Sequence, residues 1–449
     1  MGKSPKPAGH GGGSTPKRPD QPATVRIESL AAGGAGVGHL AGGEVIFVAR
    51  SAPGELVEVE VSPGARPAQG RVLRVLEPSA ERVEPACPHL AACGGCDWMH
   101  LSGRAQAEGH ASIVRAAVAH ALPGVVLPEI TTHAAPAELE YRSRARLFLK
   151  TDRRGVHVGY RAAGSHDLAP VDRCRVLHPA FGALVGELGA VLAGARGDGD
   201  AAIARGRDGL PVVSLEWRGE LPASTWAALD AKVKGSAWAG ARVILAGVGS
   251  PATFGDPRPL LAGADGAPLV IAAGGFAQPS DEGAAHLARR VDELSRLDQE
   301  GRPRRVVELF AGSGTLSVLL ARGAASFSAV EIGEGAAVAA RENLRARDLR
   351  AKVSAGDADA FAIPADTSVV VLDPPRGGAP GASRAIAASS AKVVVYVACE
   401  PTTLARDLSV LAGGRLSITH VETFELFPQT SHVETVVRLA RLPRPARPG

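Results

Sequence analysis

Apolar and polar positions divide this chain into three regimes. At residues 23–27, 44–49, 56–61 and 71–76, short apolar-polar alternations are separated by Gly and Pro. A period of two, broken by turns at this spacing, predicts a small OB-like β-barrel, a shape that commonly binds nucleic acid. Gly36-Val37-Gly38-His39-Leu40-Ala41 has the letters of a dinucleotide fingerprint. The chain then runs into strand-like Val45-Ile46-Phe47-Val48 instead of a helix, so these glycines read as turn residues of the barrel. The next regime shows a helical repeat at 104–121 and strand-like runs at 143–150 and 156–160. Its Ala- and Gly-rich part, 182–261, has no motif and reads as scaffold. From residue 271 onward the two periods alternate. Strands are expected at 305–310, 327–331, 351–354, 369–373 and 392–397, and helices at 316–322, 334–347 and 402–411. This is the pattern of an α/β fold with a doubly wound, Rossmann-like parallel sheet. The expected organisation is a tail over 1–22, a barrel over 23–80, a central α+β domain over 81–270 and the α/β domain over 271–449.

Composition changes little in this picture. A chain of 449 residues, 45% hydrophobic and 21% charged, is long enough for two or three domains with cores of their own. The net charge of +4 suits an anionic partner. Positive charge gathers at the ends: Lys3, Lys6, Lys17 and Arg18 face only Asp20, and Arg438, Arg441, Arg444 and Arg447 follow Glu434 with no acid among them. Both ends read as solvated tails that add a loose attraction for phosphates. No apolar run approaches the roughly 18 residues of a membrane span, and the basic start lacks an apolar signal core. A cytoplasmic, reducing compartment is expected, where disulfides do not form. The five cysteines need another role.

In Val306-Val307-Glu308-Leu309-Phe310, a buried-strand pattern leads into Ala311-Gly312-Ser313-Gly314 and a helix. Such a turn lets a ligand approach the backbone and the first helical N–H groups. Glu331, 17 residues beyond Gly314, ends the second strand where it can accept ribose hydroxyls. Ser317 stands where a dinucleotide site has its third glycine, and together with Glu308, Glu331 and Asp357 this favours S-adenosylmethionine. The fourth strand ends in Asp373-Pro374-Pro375-Arg376 and the fifth in Ala398-Cys399-Glu400-Pro401. Both are carboxyl ends of strands, where open α/β sheets bind ligands. A free cysteine there is either a small buried apolar residue or, before a helix, a thiol biased toward thiolate. Pro401-Thr402-Thr403 turns the chain into a helix and supports the second reading. A thiolate suits methylation at carbon 5 of uracil: adding it to carbon 6 makes carbon 5 nucleophilic, and a base must later remove the carbon-5 proton. Glu434 opens a further strand-like run. Cys87, Cys93 and Cys96 cluster with spacings of five and two, and Cys174 supplies a fourth thiol. In a reducing cell such a set indicates metal, and spacing alone leaves zinc and a [4Fe–4S] cluster both open.

Taken together, these residues resemble the bacterial RNA uracil-5 methyltransferases from about residue 23 to near the end of the chain. The resemblance implies that Cys399 is the nucleophile, Glu434 the base, and Asp373 a residue holding cofactor and uracil. It places Gln278, Phe310, Gly312, Gly314, Thr315, Glu331, Asp357 and Asp373 at the S-adenosylmethionine site. The barrel looks like an RNA-binding TRAM domain. The four metal cysteines look like the [4Fe–4S] ligands of the branch acting on 23S rRNA, which selects the cluster over zinc. The implied partner is therefore 23S rRNA before tRNA, and the implied state a monomer. There are departures: Pro279-Ser280 follows Gln278 where the family has an Asn nearby, Thr315 replaces an Asn of some members, and Glu400 replaces a frequent Asn. A negative charge at Glu400 would raise the Cys399 pKa unless it turns outward. An inactive, metal-stapled RNA-binding protein is an alternative that the intact Asp373, Cys399 and Glu434 oppose. A radical methylthiotransferase would need a Cys-x3-Cys-x2-Cys run, which is absent, and an amino-group methyltransferase an aromatic where Arg376 stands.

Overall fold

A computed structural model describes residues 22–442 apart from 299, 300 and 302. The basic residues expected in tails at 3–18, 444 and 447 lie outside them. The described residues divide into two compact units, one made of 22–31 and 35–80, the other of 32–34 and those from 81 onward.

The first unit is a closed five-stranded barrel in the order Ala23–Leu30, Gly36–His39, Val45–Ala49, Ala68–Glu77, Leu56–Val61. Alternate residues Val25, Ile27, Ile46, Val48, Val57 and Val59 fill its core. Gly36 and Gly38, expected in turns, lie within a strand. A Cβ on Gly38 would meet the Arg26 carbonyl at 2.4 Å, so close approach across the small barrel excludes a side chain there.

In the second unit the stretch without motif forms most of a seven-stranded sheet. Its central strands Arg144–Asp152, Arg196–Arg205 and Pro211–Glu220 pair antiparallel, and Leu184–Val191 and Ala223–Lys234 are helices. The eight-stranded sheet runs Lys352–Ala355, Ser326–Glu331, Arg305–Leu309, Val369–Leu372, Val393–Ala398, Glu434–Arg441, Leu416–Phe424, Ile130–His133. The first five are parallel, and Glu434–Arg441 enters antiparallel beside Val393–Ala398. Val369–Leu372 is buried throughout because both faces of the sheet are covered. Val370, Val394 and Tyr396 pack on one face against Leu404 and Leu408 of the helix Pro401–Gly413. Val369, Val371 and Val395 pack on the other against Leu287 and Val291 of the helix Asp281–Arg296. Each such buried side chain contributes about 1.5–3 kcal/mol. Helix Gly103–Ala121 sends Val114 and Val118 into the first face, and Ile130–His133 is this sheet's edge strand, so part of the 81–270 stretch builds the α/β sheet.

Ser280, which departs from the family pattern, is the N-cap of Asp281–Arg296 and accepts from the Gly283 N–H at 3.2 Å. Arg438 and Arg441 are not tail residues. Arg438 is buried and donates to the Leu294 and Leu297 carbonyls, and Arg441 donates to those of Ala391 and Gly414. Among the described residues no helix is long and apolar enough to cross a membrane.

Candidate functional site

Because the five parallel strands point the same way, their carboxyl ends share one rim. Phe310, Glu331, Asp373 and Cys399 stand there. The antiparallel Glu434–Arg441 begins where its neighbour ends, with Thr435 opposite Ala398, so Glu434 reaches the same rim from the other direction. The three residues expected to do the chemistry are thus brought together. Their charges register one another: Asp373 and Glu434 both raise the Cys399 pKa, and Asp373 raises that of Glu434.

The Cys399 thiol corrects one expectation. It sits just before the helix Pro401–Gly413, yet it is not pushed toward thiolate. Burial, then the charges of Glu434 and Asp373, drive it up to about 11, with Arg376 opposing. Glu400 turns aside and caps the helix, its carboxylate accepting from the Thr402 N–H at 3.3 Å. Asp373 is held up by burial, and Glu434 is raised well above a free carboxyl by burial and by Asp373. The Gln278 amide donates to Glu434, while its own carbonyl oxygen is buried without a protein partner. The loop after Asp373 is held from the helix behind it: Asp407 accepts from the Ala379 N–H at 2.6 Å and the Tyr396 hydroxyl at 2.7 Å. Arg376 contacts His432 at 3.1 Å.

Beside this group lies the glycine turn. Phe310 adopts φ +61, costly for a residue with a side chain, and Gly312 and Gly314 follow at +54 and +89. A Cβ on Gly312 would enter open space, whereas one on Gly314 would press on Ala340 at 3.3 Å. Gly314 therefore serves helix packing, and Gly312 leaves a clear ledge. The helix beyond is only Ser317–Leu320, too short for the expected helix-terminal site. The Glu331 carboxylate accepts from the N–H groups of Gly312 (2.9 Å) and Gly333 (2.7 Å), which leaves it further lone pairs. Glu308 points inward instead: it accepts from the Ser317 hydroxyl at 2.5 Å, and burial lifts it to about 8. Thr315 is half-buried, and Asp357 is exposed, capping the Asp359 N–H at 2.9 Å. Sequence reasoning missed Asn343. Buried, it bonds Val270 N–H (2.9 Å), Val270 C=O (2.7 Å) and Ser313 C=O (2.8 Å), tying the glycine turn to the preceding segment.

An open groove of about 960 Å³ is lined by Arg142, Arg144, Arg146, Phe276 and Phe427. Phe276 is 75% exposed. The arginines recur at every second position from Arg142, a one-face pattern of a strand that could have been read from the sequence. A separate pocket is lined by all four candidate metal ligands, Cys87, Cys93, Cys96 and Cys174, with Arg142 and Tyr160. Burial pushes the Cys96 thiol up to about 12, and the other three thiols add to the rise. His89 and Asp172, 2.6 Å apart, hold the two cysteine segments together. Gly94 allows close backbone approach, a Cβ there meeting the Arg161 carbonyl at 3.0 Å. Among the described residues no three His, Cys, Asp or Glu side chains converge to hold a single metal ion.

A parallel sheet with a glycine ledge, a glutamate at the end of its second strand and a carboxylate-ringed rim fits an S-adenosylmethionine-dependent methyltransferase. The cationic sulfonium of that cofactor suits a rim with Asp373, Glu434 and Glu331. Comparison with known proteins narrows the class. A family model for tRNA (uracil-5-)-methyltransferase matches residues 361–442, and one described as conserved hypothetical protein 95 matches 292–387. The chain is 33% identical to a 23S rRNA (uracil(1939)-C(5))-methyltransferase of Chromohalobacter salexigens, over 96% of this chain and 92% of that one. A protein of the same name from Pseudomonas entomophila is 33% identical over 91% and 92%. The crystal structure of Pyrococcus abyssi tRNA (uracil-54, C5)-methyltransferase with S-adenosyl-L-homocysteine has the same fold, with TM-score 0.71 at 22% identity over 93% of this chain and 99% of that one. The chain belongs to the family of S-adenosylmethionine-dependent RNA uracil-5 methyltransferases.

Proposed function

We propose that this enzyme makes 5-methyluridine in 23S rRNA through a covalent adduct on Cys399. The observation that carries the reading is the convergence of Cys399, Asp373 and Glu434 beside the cofactor ledge. S-adenosylmethionine supplies the methyl group as a sulfonium electrophile. Cys399 gives its proton to water and its sulfur adds to carbon 6 of the uracil, moving the ring electrons onto carbon 5. Carbon 5 takes the methyl group and S-adenosylhomocysteine leaves. Glu434, as carboxylate, then accepts the carbon-5 proton, the carbon 5–carbon 6 double bond re-forms, and the Cys399 sulfur departs. Asp373 orients the reactants, and its negative charge next to the sulfonium favours cofactor binding. The names of the two relatives above support 23S rRNA over tRNA. The capping role of Glu400 removes the main ground for an inactive protein.

The groove of Arg142, Arg144, Arg146 and Phe276 offers a face for a base and guanidinium groups for phosphates, although Arg144 and Arg146 already pair with Asp281 and Glu216. Between residues 23 and 80 five arginines stand against six glutamates, so an RNA-binding, TRAM-like barrel would work by shape and base contact more than by charge. Cys87, Cys93, Cys96 and Cys174 would hold a [4Fe–4S] cluster. The reading rests on all four thiols lining one pocket, together with the resemblance of their spacing to the cluster ligands of the 23S rRNA branch. The reaction needs no electron, so this centre would be structural.

RNA bearing 5-fluorouridine tests the mechanism. The wild type should form an adduct that survives denaturation, because fluorine cannot leave as a proton does. Cys399→Ala should form none and lose turnover. Glu434→Gln should slow turnover by about 10²–10⁴-fold and accumulate a methyl-labelled adduct on ordinary RNA. Methylation by Cys399→Ala would overturn the covalent route.

A further inference from the structure

The seven residues before Glu434, Phe427 to Val433, form no regular element, and one of them is strained. Gln429 has φ +73, a conformation that residues with a side chain adopt only when their surroundings impose it. Those surroundings are named contacts. The Gln429 N–H donates to the Gln106 side chain at 2.7 Å, and the Gln429 carbonyl accepts from the Trp98 N–H at 3.1 Å. The Ser431 N–H donates to Asp97 at 2.8 Å, and the Tyr141 hydroxyl donates to the Pro428 carbonyl at 3.1 Å. His110, stacked on Trp98 with ring centroids 4.6 Å apart, meets the Thr430 carbonyl at 3.1 Å.

This clamp grows out of the cysteine pocket. Asp97 and Trp98 directly follow Cys96 in the chain. Tyr141 packs in one small cluster with Met99 and Val176, against which Cys87, Cys96 and Cys174 rest. Its neighbour Arg142 lines the same pocket and lies 5.9 Å from the Phe427 ring. Buried hydrogen bonds transmit position only where both ends are rigid, and four thiols tied to one centre would make this end rigid.

We propose that the thiol pocket, when it holds its metal centre, sets the position of Glu434 through the clamp of Asp97, Trp98 and Tyr141, and that Asp97 is the positioning residue that links the two. The inference rests on the reading that the four thiols bind metal. The centre would then serve the elimination step by holding the loop that presents the base. Cofactor binding, on the far strands, would not depend on it.

Amide hydrogen exchange of the full-length protein, with its metal and after chelation, tests this. Peptides covering 427–434 should exchange at least about tenfold faster in the stripped protein, while those covering 305–317 stay unchanged. In the metal-loaded protein Asp97→Ala should reproduce the acceleration at unchanged metal content. Asp97→Asn, which keeps an acceptor oxygen, should restore slow exchange, and Tyr141→Phe should give an intermediate effect away from the ligand segment. Loaded Asp97→Ala should also accumulate methyl-labelled adduct on RNA at an unchanged KM for S-adenosylmethionine. A metal-bearing protein whose 427–434 exchange ignores the metal, or an Asp97→Ala that exchanges like wild type, overturns the coupling. A protein that carries no metal as purified overturns the metal reading and the coupling with it.

Discussion

At the scale of single residues, the rim is a crowd of carboxyl groups with one thiol among them. The thiol is pushed up to about 11 and the Asp373 carboxyl above the usual carboxylate range, both chiefly by burial, so each is biased toward its protonated form. A cation placed among them favours the deprotonated forms. The sign follows: a ligand that lowers a carboxyl pKa releases a proton on binding and therefore binds more tightly as pH rises through that pKa. The affinity for S-adenosylmethionine should increase several-fold between pH 6 and 8. S-adenosylhomocysteine, which lacks the sulfonium charge, should show a smaller increase, and Asp373→Asn should flatten the difference. Titration calorimetry at both pH values measures this, and equal slopes for the two ligands would exclude charge coupling at Asp373. Cys399 and Asp373 could be picked out as candidates from their motifs, and Glu434 from the resemblance. Their protonation was not, since burial and neighbouring charge are properties of the folded rim.

At the scale of elements, the cofactor ledge depends on a turn whose following helix has only four residues. Little local helix energy holds such a turn, because nucleation is costly and short helices gain little in return. Asn343 supplies the missing constraint from the helix Glu334–Arg345 by bonding Ser313 and Val270. Asn343→Ala would leave buried backbone groups unsatisfied, at a cost of about 2–3 kcal/mol. It should lower the melting temperature and raise the KM for S-adenosylmethionine about tenfold, with a smaller change in kcat. An unchanged KM would show that the turn holds its shape unaided. No sequence signal marks Asn343, which looks like any polar residue in an amphipathic helix. The strand at Gly36–His39 was missed for a related reason, because its glycines answer to a facing backbone and not to a turn.

At the scale of the molecule, the cysteine pocket joins segments far apart in the chain. Cys174 enters the pocket 78 residues after Cys96, carried by the end of the seven-stranded sheet. Protein purified without oxygen should be brown and contain about four iron and four sulfide per chain. Stoichiometric zinc in protein made with ample iron would favour a tetrahedral site. Removing the metal should lower the unfolding temperature, since a group that binds only the folded state stabilises it.

The sequence by itself determined what depends on near neighbours. The period of apolar positions marked the five parallel strands and three helices of the α/β sheet to within a few residues, though not the helices Asp281–Arg296 and Pro380–Ala388 or the strand Leu416–Phe424, and Asp373-Pro-Pro-Arg, Ala398-Cys-Glu-Pro and the glycine turn marked carboxyl ends of strands. Tertiary structure decided everything that depends on register and enclosure. An antiparallel strand inserted beside Val393–Ala398 brings Glu434 to Cys399, and no local pattern states that pairing. Ile130–His133, distant in sequence, completes the sheet. Arg438, written like a tail residue, is buried because the helix Asp281–Arg296 ends with carbonyls that need a donor. Short-range periodicity encodes what a segment becomes. The company it keeps, and with it the charge its side chains carry, is set only when distant segments exclude water together.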